Sequence, residues 1–368
     1  MTDLDVLLGA LRRDPDVGTV DQRAWDAADR YLLDVAASEF PDVVAGEVAV
    51  VDDTHGALAL GAAALGARAV RVHQDSLVAR RALAGNAGRT GLAEPAQHPL
   101  ASLVTPATSL VLVRLPRSLD RLDAVARSIA RAAGPDVVVL AGGRLKHMTP
   151  TQNEVLGTAF GRVDVTHARA KSRILVAREP REVDAAEPER ATVAGVEVVA
   201  LPGVFAGAAL DIGTRALLDT FDALPPFERA IDLACGTGIV AVELARRNPD
   251  ARIVATDVSE IAVESARLTA EGNGVRVDAR QDDGLSGEPD ASADLVVLNP
   301  PFHAGAAVTT EIAHRLFADA ARVLRPGGEL RVVWNSHLAY RPVLERIVGP
   351  TRQLARTPKF TVTASRRR

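Results

Sequence analysis

The stretch Ala230-Ile-Asp232-Leu-Ala-Cys-Gly236-Thr-Gly238 decides the fold. Ala230–Ala234 is an apolar strand run that ends in a glycine-rich turn, and Val240–Arg247 reads as the helix after it. A strand, a tight turn and a helix are the first step of a βαβ unit. Gly236 and Gly238 allow the backbone to turn sharply and approach a ligand closely. Gly-x-Gly alone fits dinucleotide binding as well as a structural turn. The leading acid favours another ligand. Asp232 would repel a pyrophosphate at this turn but suits a zwitterionic or cationic molecule such as S-adenosylmethionine.

Outward from this stretch, strand and helix signals alternate. Arg252–Thr256 reads as a strand and Ile261–Glu271 as an amphipathic helix. Val275–Ala279 and Asp294–Leu298 read as strands. Glu311–Leu324 reads as a helix stopped by Arg325-Pro-Gly-Gly328, and Glu329–Trp334 as a further strand. The pattern predicts an α/β, doubly wound, mainly parallel Rossmann-like sheet, whose ligands sit at the carboxyl ends of the strands. Asp257 lies at such an end, where an acid can accept both ribose hydroxyls of a nucleoside. Ser259 can cap the following helix, which leaves Asp257 to a ligand. Asp282-Asp283 follow the third strand; one of them could accept from an adenine amino group, or the pair is a solvated turn.

Asn299-Pro300-Pro301-Phe302 follows the fourth strand. Two prolines end a strand cheaply, but that explains neither the Asn before them nor the aromatic after them. An amide oxygen and a backbone carbonyl make a pair of acceptors for the two N–H bonds of a planar exocyclic amine. Holding both bonds pulls the nitrogen towards tetrahedral geometry and aims its lone pair at an incoming methyl group. Phe302 offers a face for base stacking, worth about 1–3 kcal/mol.

The first half repeats the plan. Val48–Asp52 parallels Ala230–Asp232, Val70–Asp75 parallels Ile253–Asp257, Leu110–Val113 parallels Leu295–Leu298, and Asp136–Leu140 parallels Glu329–Val333. The helix after each acid ends alike, in Ala82-Leu-Ala-Gly-Asn86 and Leu268-Thr-Ala-Glu-Gly-Asn273. The offset stays at about 180–187 residues, as a duplicated domain requires. Residues 1–178 form the first domain and residues 191–368 the second. Charged, proline-containing residues 179–190 read as an exposed linker. The first copy is degenerate: Leu58 stands for the second glycine, and Arg114-Leu-Pro-Arg117 stands for Asn-Pro-Pro-Phe.

Together, Asp232–Gly238, Asp257 and Asn299–Phe302 resemble the successive motifs of a class I S-adenosylmethionine-dependent methyltransferase, and Asn-Pro-Pro-Phe resembles the motif of its amino-methylating branch. Pro202-Gly-Val-Phe-Ala-Gly-Ala-Ala-Leu-Asp-Ile-Gly213, Asn299–Gly305 and Gly327-Gly-Glu-Leu-Arg331 are similar to the bacterial ribosomal-RNA guanine-N2 methyltransferase family of the RsmC/RlmG type. Ala307–His314 and Asn335-Ser-His-Leu-Ala-Tyr340 lie nearer its large-subunit (RlmG) branch. The resemblance implies two tandem methyltransferase-like domains, the first non-catalytic and RNA-holding. It implies S-adenosyl-L-methionine as cofactor and ribosomal RNA, or a ribosomal subunit, as partner. It implies Asn299, Pro300 and Phe302 as catalytic residues. The cofactor residues would be Phe205, Asp211, Gly213, Asp232, Ala234, Gly236, Gly238, Asp257, Val258, Asp282, Asp283 and Asn299. His303, Arg114, Arg117, Arg144 and Lys146 are candidate RNA contacts. Methylation of adenine or of a glutamine amide uses the same clamp, and a non-enzymatic RNA-binding or assembly factor could share the fold.

Composition sets outer bounds. The chain has 368 residues and a net charge of −4, which argues against gripping nucleic acid by bulk charge. A single cysteine, Cys235, permits no intrachain disulfide and fits a reducing compartment. No apolar run approaches a membrane span, and the acidic N-terminus lacks signal-peptide features, so a cytoplasmic location is expected. The 8 histidines show no metal-ligand spacing, and no metal is expected.

Overall fold

The structure, a computed structural model, describes residues 3–14, 23–301 and 306–368. It divides into two compact units, Met1–Glu187 and Pro188–Arg368. The first holds strands β1 (Glu47–Val51), β2 (Ala69–His73), β3 (Ala96–Gln97), β4 (Thr108–Arg114), β5 (Val138–Arg144), β6 (Phe160–Val165) and β7 (Ser172–Pro180). The second opens with a hairpin of β8 (Glu189–Val193) and β9 (Val196–Ala200). Its main sheet holds β10 (Arg229–Leu233), β11 (Arg252–Asp257), β12 (Asp278–Gln281), β13 (Ala293–Leu298), β14 (Leu324–Asn335), β15 (Thr351–Arg356) and β16 (Phe360–Arg366).

The strand orders are β3-β2-β1-β4-β5-β7-β6 and β12-β11-β10-β13-β14-β16-β15, the same topology twice. The first five strands of each sheet are parallel, and the last two pair antiparallel. Order reverses beside β1 and β10, so the crevice for a ligand opens there, at the carboxyl ends. Helices cover both faces, which explains the apolar runs of the central strands. In β1, Val48 and Val50 enter one core layer and Ala49 and Val51 the other. In β10, Ala230 faces one layer and Ile231 and Leu233 the other, which leaves Asp232 on the Ala230 face.

Local departures from the sequence reading have identifiable causes. The stretch 179–190 is not one free linker, because β7 runs to Pro180 and β8 begins at Glu189. Between them, Arg131 Nη1 donates to the Val183 carbonyl at 3.1 Å and Arg127 Nη1 to the Asp184 carbonyl at 3.4 Å. Val275 belongs to a helix end rather than a strand: its N–H bonds back to the Ala270 carbonyl at 3.1 Å, past Gly274 at φ 65°. Arg325–Gly328 lies inside β14, held in the ladder by the paired bonds of Gly327 N to Arg367 O and Arg367 N to Gly328 O.

The duplication is closer than the sequence suggests, and its register is different. Asp52 and Ala234 both leave their strands at φ 58°, and Gly56 and Gly238 both N-cap the next helix with positive φ. Gly56 is therefore the counterpart of Gly238, Thr54 stands where Gly236 does, and Leu58 is a buried residue of the first helical turn. Ser76 and Ser259 cap the following helices through Ala79 N and Ala262 N. That register sets Gln74 against Asp257 and Asp75 against Val258. Asn86 lies inside its helix, whereas Asn273 caps the end of the other.

Candidate active site

Asp232 points from β10 under the helix Ile239–Arg247, where its Oδ2 accepts from Ala241 N at 3.0 Å. That bond satisfies a free N–H of the helix start. Burial pushes the Asp232 carboxyl up to about 7, opposed by the Ala241 bond and aided by the charge of Asp257. At Gly238, φ is +76° and a Cβ would stand 2.7 Å from the Ala266 Cβ, so close helix packing demands glycine. At Gly236, φ is +53° and the space a Cβ would enter is open to 4 Å, as a ligand-facing loop requires. Asp257 ties this loop to the next strand: its Oδ2 accepts from Gly236 N at 3.1 Å and its Oδ1 from Ser259 N at 3.0 Å.

Ala234 holds the left-handed turn of the loop, and Val258 is half-buried, its carbonyl accepting from Gln281 Nε2 at 2.9 Å. The Cys235 thiol is buried, and burial, then the charges of Asp257 and Asp232, push its pKa well up, which disfavours a thiolate. Asp282 organises the third loop, accepting from Asp283 N at 2.8 Å and Gly287 N at 2.9 Å and from the Ser286 hydroxyl. Asp283 pairs with Arg315 at 2.6 Å.

The clamp residue is held from an element far away in sequence. Asp211 is the N-cap of the helix Ile212–Leu218, its Oδ2 accepting from Gly213 N at 2.8 Å and Thr214 N at 3.1 Å. The same oxygen accepts from Asn299 Nδ2 at 3.3 Å, and Thr214 Oγ1 accepts from that nitrogen at 3.0 Å. A carboxylate oxygen accepts and cannot donate, so the NH2 end of the amide must face Asp211. The Asn299 Oδ1 is thereby turned away from the helix, and it is buried with no hydrogen-bond partner among the described residues. Sequence reasoning missed Thr214 altogether and did not foresee that Asp211 acts on Asn299.

Gly213 is small for a packing reason: a Cβ would stand 3.2 Å from the Phe360 ring. Ile212 follows Asp211 in the chain; it and Phe205 are 60% and 47% exposed, two of the few large apolar side chains exposed among the described residues. Pro300 is buried. Phe302 and His303 lie outside the described residues.

In the first unit, Arg114 is engaged internally, paired with Asp26 at 3.1 Å and with buried Asp29 at 3.2 Å. Its placement differs from the RNA-facing contact suggested by the sequence, because two acids 85 or more residues away claim its guanidinium. Arg117 and Lys146 are exposed and Arg144 half-buried. Desolvation and the positive fields of Arg117, Lys146 and Arg144 hold the His147 pKa below its ordinary value. Among the described residues, no group of three or more His, Cys, Asp or Glu is placed to hold a metal ion, and no helix is long and apolar enough to cross a membrane.

Comparison with known proteins agrees with this architecture. The RLMG N-terminal domain family matches residues 3–181, and the Methyltransferase small domain family matches residues 195–364. The ribosomal RNA large subunit methyltransferase G of Streptomyces coelicolor is 38% identical over 92% of this chain and 93% of its own length. The protein of the same name from Pseudomonas entomophila is 34% identical over 99% of this chain and 98% of its own length. Among solved structures, the T. thermophilus 16S rRNA N2 G1207 methyltransferase (RsmC), in complex with AdoMet and guanosine, shares the fold. Its TM-score is 0.74 at 24% identity, over 90% of this chain and 92% of that one.

Proposed function

This chain belongs to the ribosomal RNA large subunit methyltransferase G family, and we propose that its second unit methylates the exocyclic N2 amine of a guanine in large-subunit ribosomal RNA. One observation carries the choice of an amine: the Asn299 amide, locked by Asp211 and Thr214, presents a buried oxygen that lacks a donor among the described residues. A buried unsatisfied acceptor costs about 1–3 kcal/mol. An amine N–H docking there removes that cost, so substrate binding and the clamp support each other. The T. thermophilus structure supports guanine, since its own printed substrate is a guanine N2.

The residues present fit S-adenosylmethionine. The space over Gly236 is open, Asp257 stands at the end of the second strand of the crevice, and no phosphate-repelling conflict arises with Asp232. The bound cofactor supplies a methyl group on a positive sulfonium, with a neutral thioether as leaving group. Asp257 accepts from the ribose diol. Asp232 anchors the helix start, its Oδ2 accepting from Ala241 N. Asn299 Oδ1 accepts one amine N–H and so favours the tetrahedral nitrogen of the transition state over the planar one. The nitrogen becomes acidic only after methylation, so the site needs no strong base. Catalysis is mainly positioning. The target base must leave its stack to reach Asn299, at a cost of a few kcal/mol.

The first unit has no acceptor at the Asn299 position and acts as an RNA-holding domain, with Arg117, Arg144 and Lys146 as its phosphate contacts. The test is methylation of ribosomal RNA from a strain lacking this gene, with radiolabelled S-adenosylmethionine and mapping of the labelled base. Label at N2 of one guanine in the large-subunit RNA is expected. Label on adenine or on protein, or none at all, overturns the reading.

A further inference from the structure

Asn335 stands at the carboxyl end of β14, the strand next to β13, which ends at the clamp. Leu298 pairs with Val332, so Asn299 and Asn335 leave the ends of adjacent parallel strands. Val297 and Val333 enter the same core layer. The residues two further along each strand, Asn299 and Asn335, therefore lie on that same face. A chain of contacts joins them. Asn335 pairs with Phe360 in the sheet, the Phe360 ring packs against Gly213, and Asp211, capping Gly213, holds Asn299.

Local structure does not account for an asparagine here. Asn335 occupies the N-cap of the turn Ser336–Leu338, a position where Asn ordinarily caps, yet its side chain makes no cap bond. Its Oδ1 is instead buried with no partner among the described residues, as is that of Asn299. Two amide oxygens, orphaned among the described residues, thus belong to positions on one face at the carboxyl ends of neighbouring strands. The register sets Asn335 two residues beyond the position beside Asn299, about 8 Å away at the backbone by strand spacing and rise, within joint reach of one base by two side chains.

We propose that Asn335 accepts the ring N1–H of the target guanine while Asn299 accepts its N2 amine, and that Asn335 thereby sets guanine against adenine. This role rests on guanine being the methylated base. Guanine presents N1–H and N2–H side by side, two donors for two acceptors. Adenine presents a bare N1, whose lone pair would face the Asn335 oxygen and leave it unsatisfied. A site built to accept a substrate N–H strongly rejects the analogue that lacks it.

The probe is a fragment of large-subunit ribosomal RNA spanning the guanine methylated by the wild-type enzyme, made with guanine or 2,6-diaminopurine at that position. Diaminopurine keeps the 2-amine but offers a bare N1. The wild-type kcat/KM should be far higher for guanine. Asn335→Ala should lower kcat/KM for guanine by about 10–100-fold and leave diaminopurine unchanged, so the preference collapses. Asn335→Asp, which keeps an acceptor, should retain the preference. A loss in equal proportion on both fragments, or no loss on either, overturns the role of Asn335 and leaves the guanine assignment standing. Wild-type enzyme that labels adenine and not guanine overturns that assignment, and this role with it.

Discussion

The two units place different side chains at one corner. In the first, Asp26 caps a helix by accepting from Ala28 N at 2.7 Å and Asp29 N at 3.3 Å, and Arg114 at the end of β4 pairs with Asp26 and Asp29. In the second, Asp211 caps a helix through Gly213 N and Thr214 N, and Asn299 at the end of β13 binds Asp211 and Thr214. The same number of residues separates Asp26 from Asp211, Asp29 from Thr214 and Arg114 from Asn299. The scaffold is shared and the chemistry is not. A guanidinium has no acceptor, so Arg114 cannot take the part that the Asn299 oxygen plays, and its paired acids are engaged by it. Its extra cation is matched by a carboxylate, Asp29, where the second unit keeps a neutral hydroxyl. Burial pushes the Asp29 carboxyl up to about 7 against the pull of Arg114, so the pair stays internal and structural.

The sharpest way to break this comparison is to impose the first corner on the second. Asn299→Arg with Thr214→Asp should lower methyl transfer at least about a thousandfold and leave S-adenosylmethionine affinity nearly unchanged by calorimetry. Residual transfer near the wild-type rate would show that the corner does not decide activity.

Next in size is cofactor binding. Asp257→Ala should weaken S-adenosylmethionine binding by about 10–100-fold, the worth of a charged acceptor, whereas Asp75→Ala and Gln74→Ala should have no effect. Equal losses in a titration would mean that both units bind cofactor.

A stability measurement sharpens the other side. Arg114→Ala should destabilise the first unit by about 3 kcal/mol by leaving Asp29 buried and unpaired. The pH sign follows from the raised carboxyl. The neutral form of Asp29 is favoured in the folded state, so its stabilisation is complete below the unfolded pKa of about 3.9. It is lost as pH rises through about 7. Removing Arg114 raises that carboxyl further, so chemical denaturation should show a larger penalty at pH 8 than at pH 6. A pH-independent penalty would contradict the pairing.

The smallest effect is expected at the first unit's cation cluster. Reversing charge at Arg117, Arg144 and Lys146 should weaken RNA binding about tenfold at moderate salt and flatten its salt dependence, with cofactor affinity intact. Unchanged RNA affinity would place the contact face elsewhere.

Much of this was legible in the sequence because it is local. Strand, glycine turn and helix around Asp232–Gly238 lie within one βα unit, and the Asn-Pro-Pro-Phe stretch marks itself by composition. The duplication was legible as rhythm but not as register. Pairing Asp75 with Asp257 matched acid to acid, whereas the Ser76 and Ser259 caps fix Gln74 there. The corner itself was hidden, since Asn299 is held by Asp211 and Thr214 across 88 and 85 residues and Arg114 by Asp26 across 88. A repeat of Asp-x-x-Asp and Asp-x-x-Thr at the offset of Arg114 and Asn299 was the available signal. The hairpin β8–β9 was masked by charged residues that read as linker.

The most direct test of the account is single-turnover methyl transfer by Asn299→Ala with saturating S-adenosylmethionine, alongside a calorimetric measurement of cofactor affinity. The amide oxygen meets the amine and not the cofactor, so the rate should fall by two to three orders of magnitude, about 3–4 kcal/mol of transition-state stabilisation, while the Kd for S-adenosylmethionine stays close to wild type. Transfer at near the wild-type rate would reduce Asn-Pro-Pro-Phe to a strand stop and contradict the account.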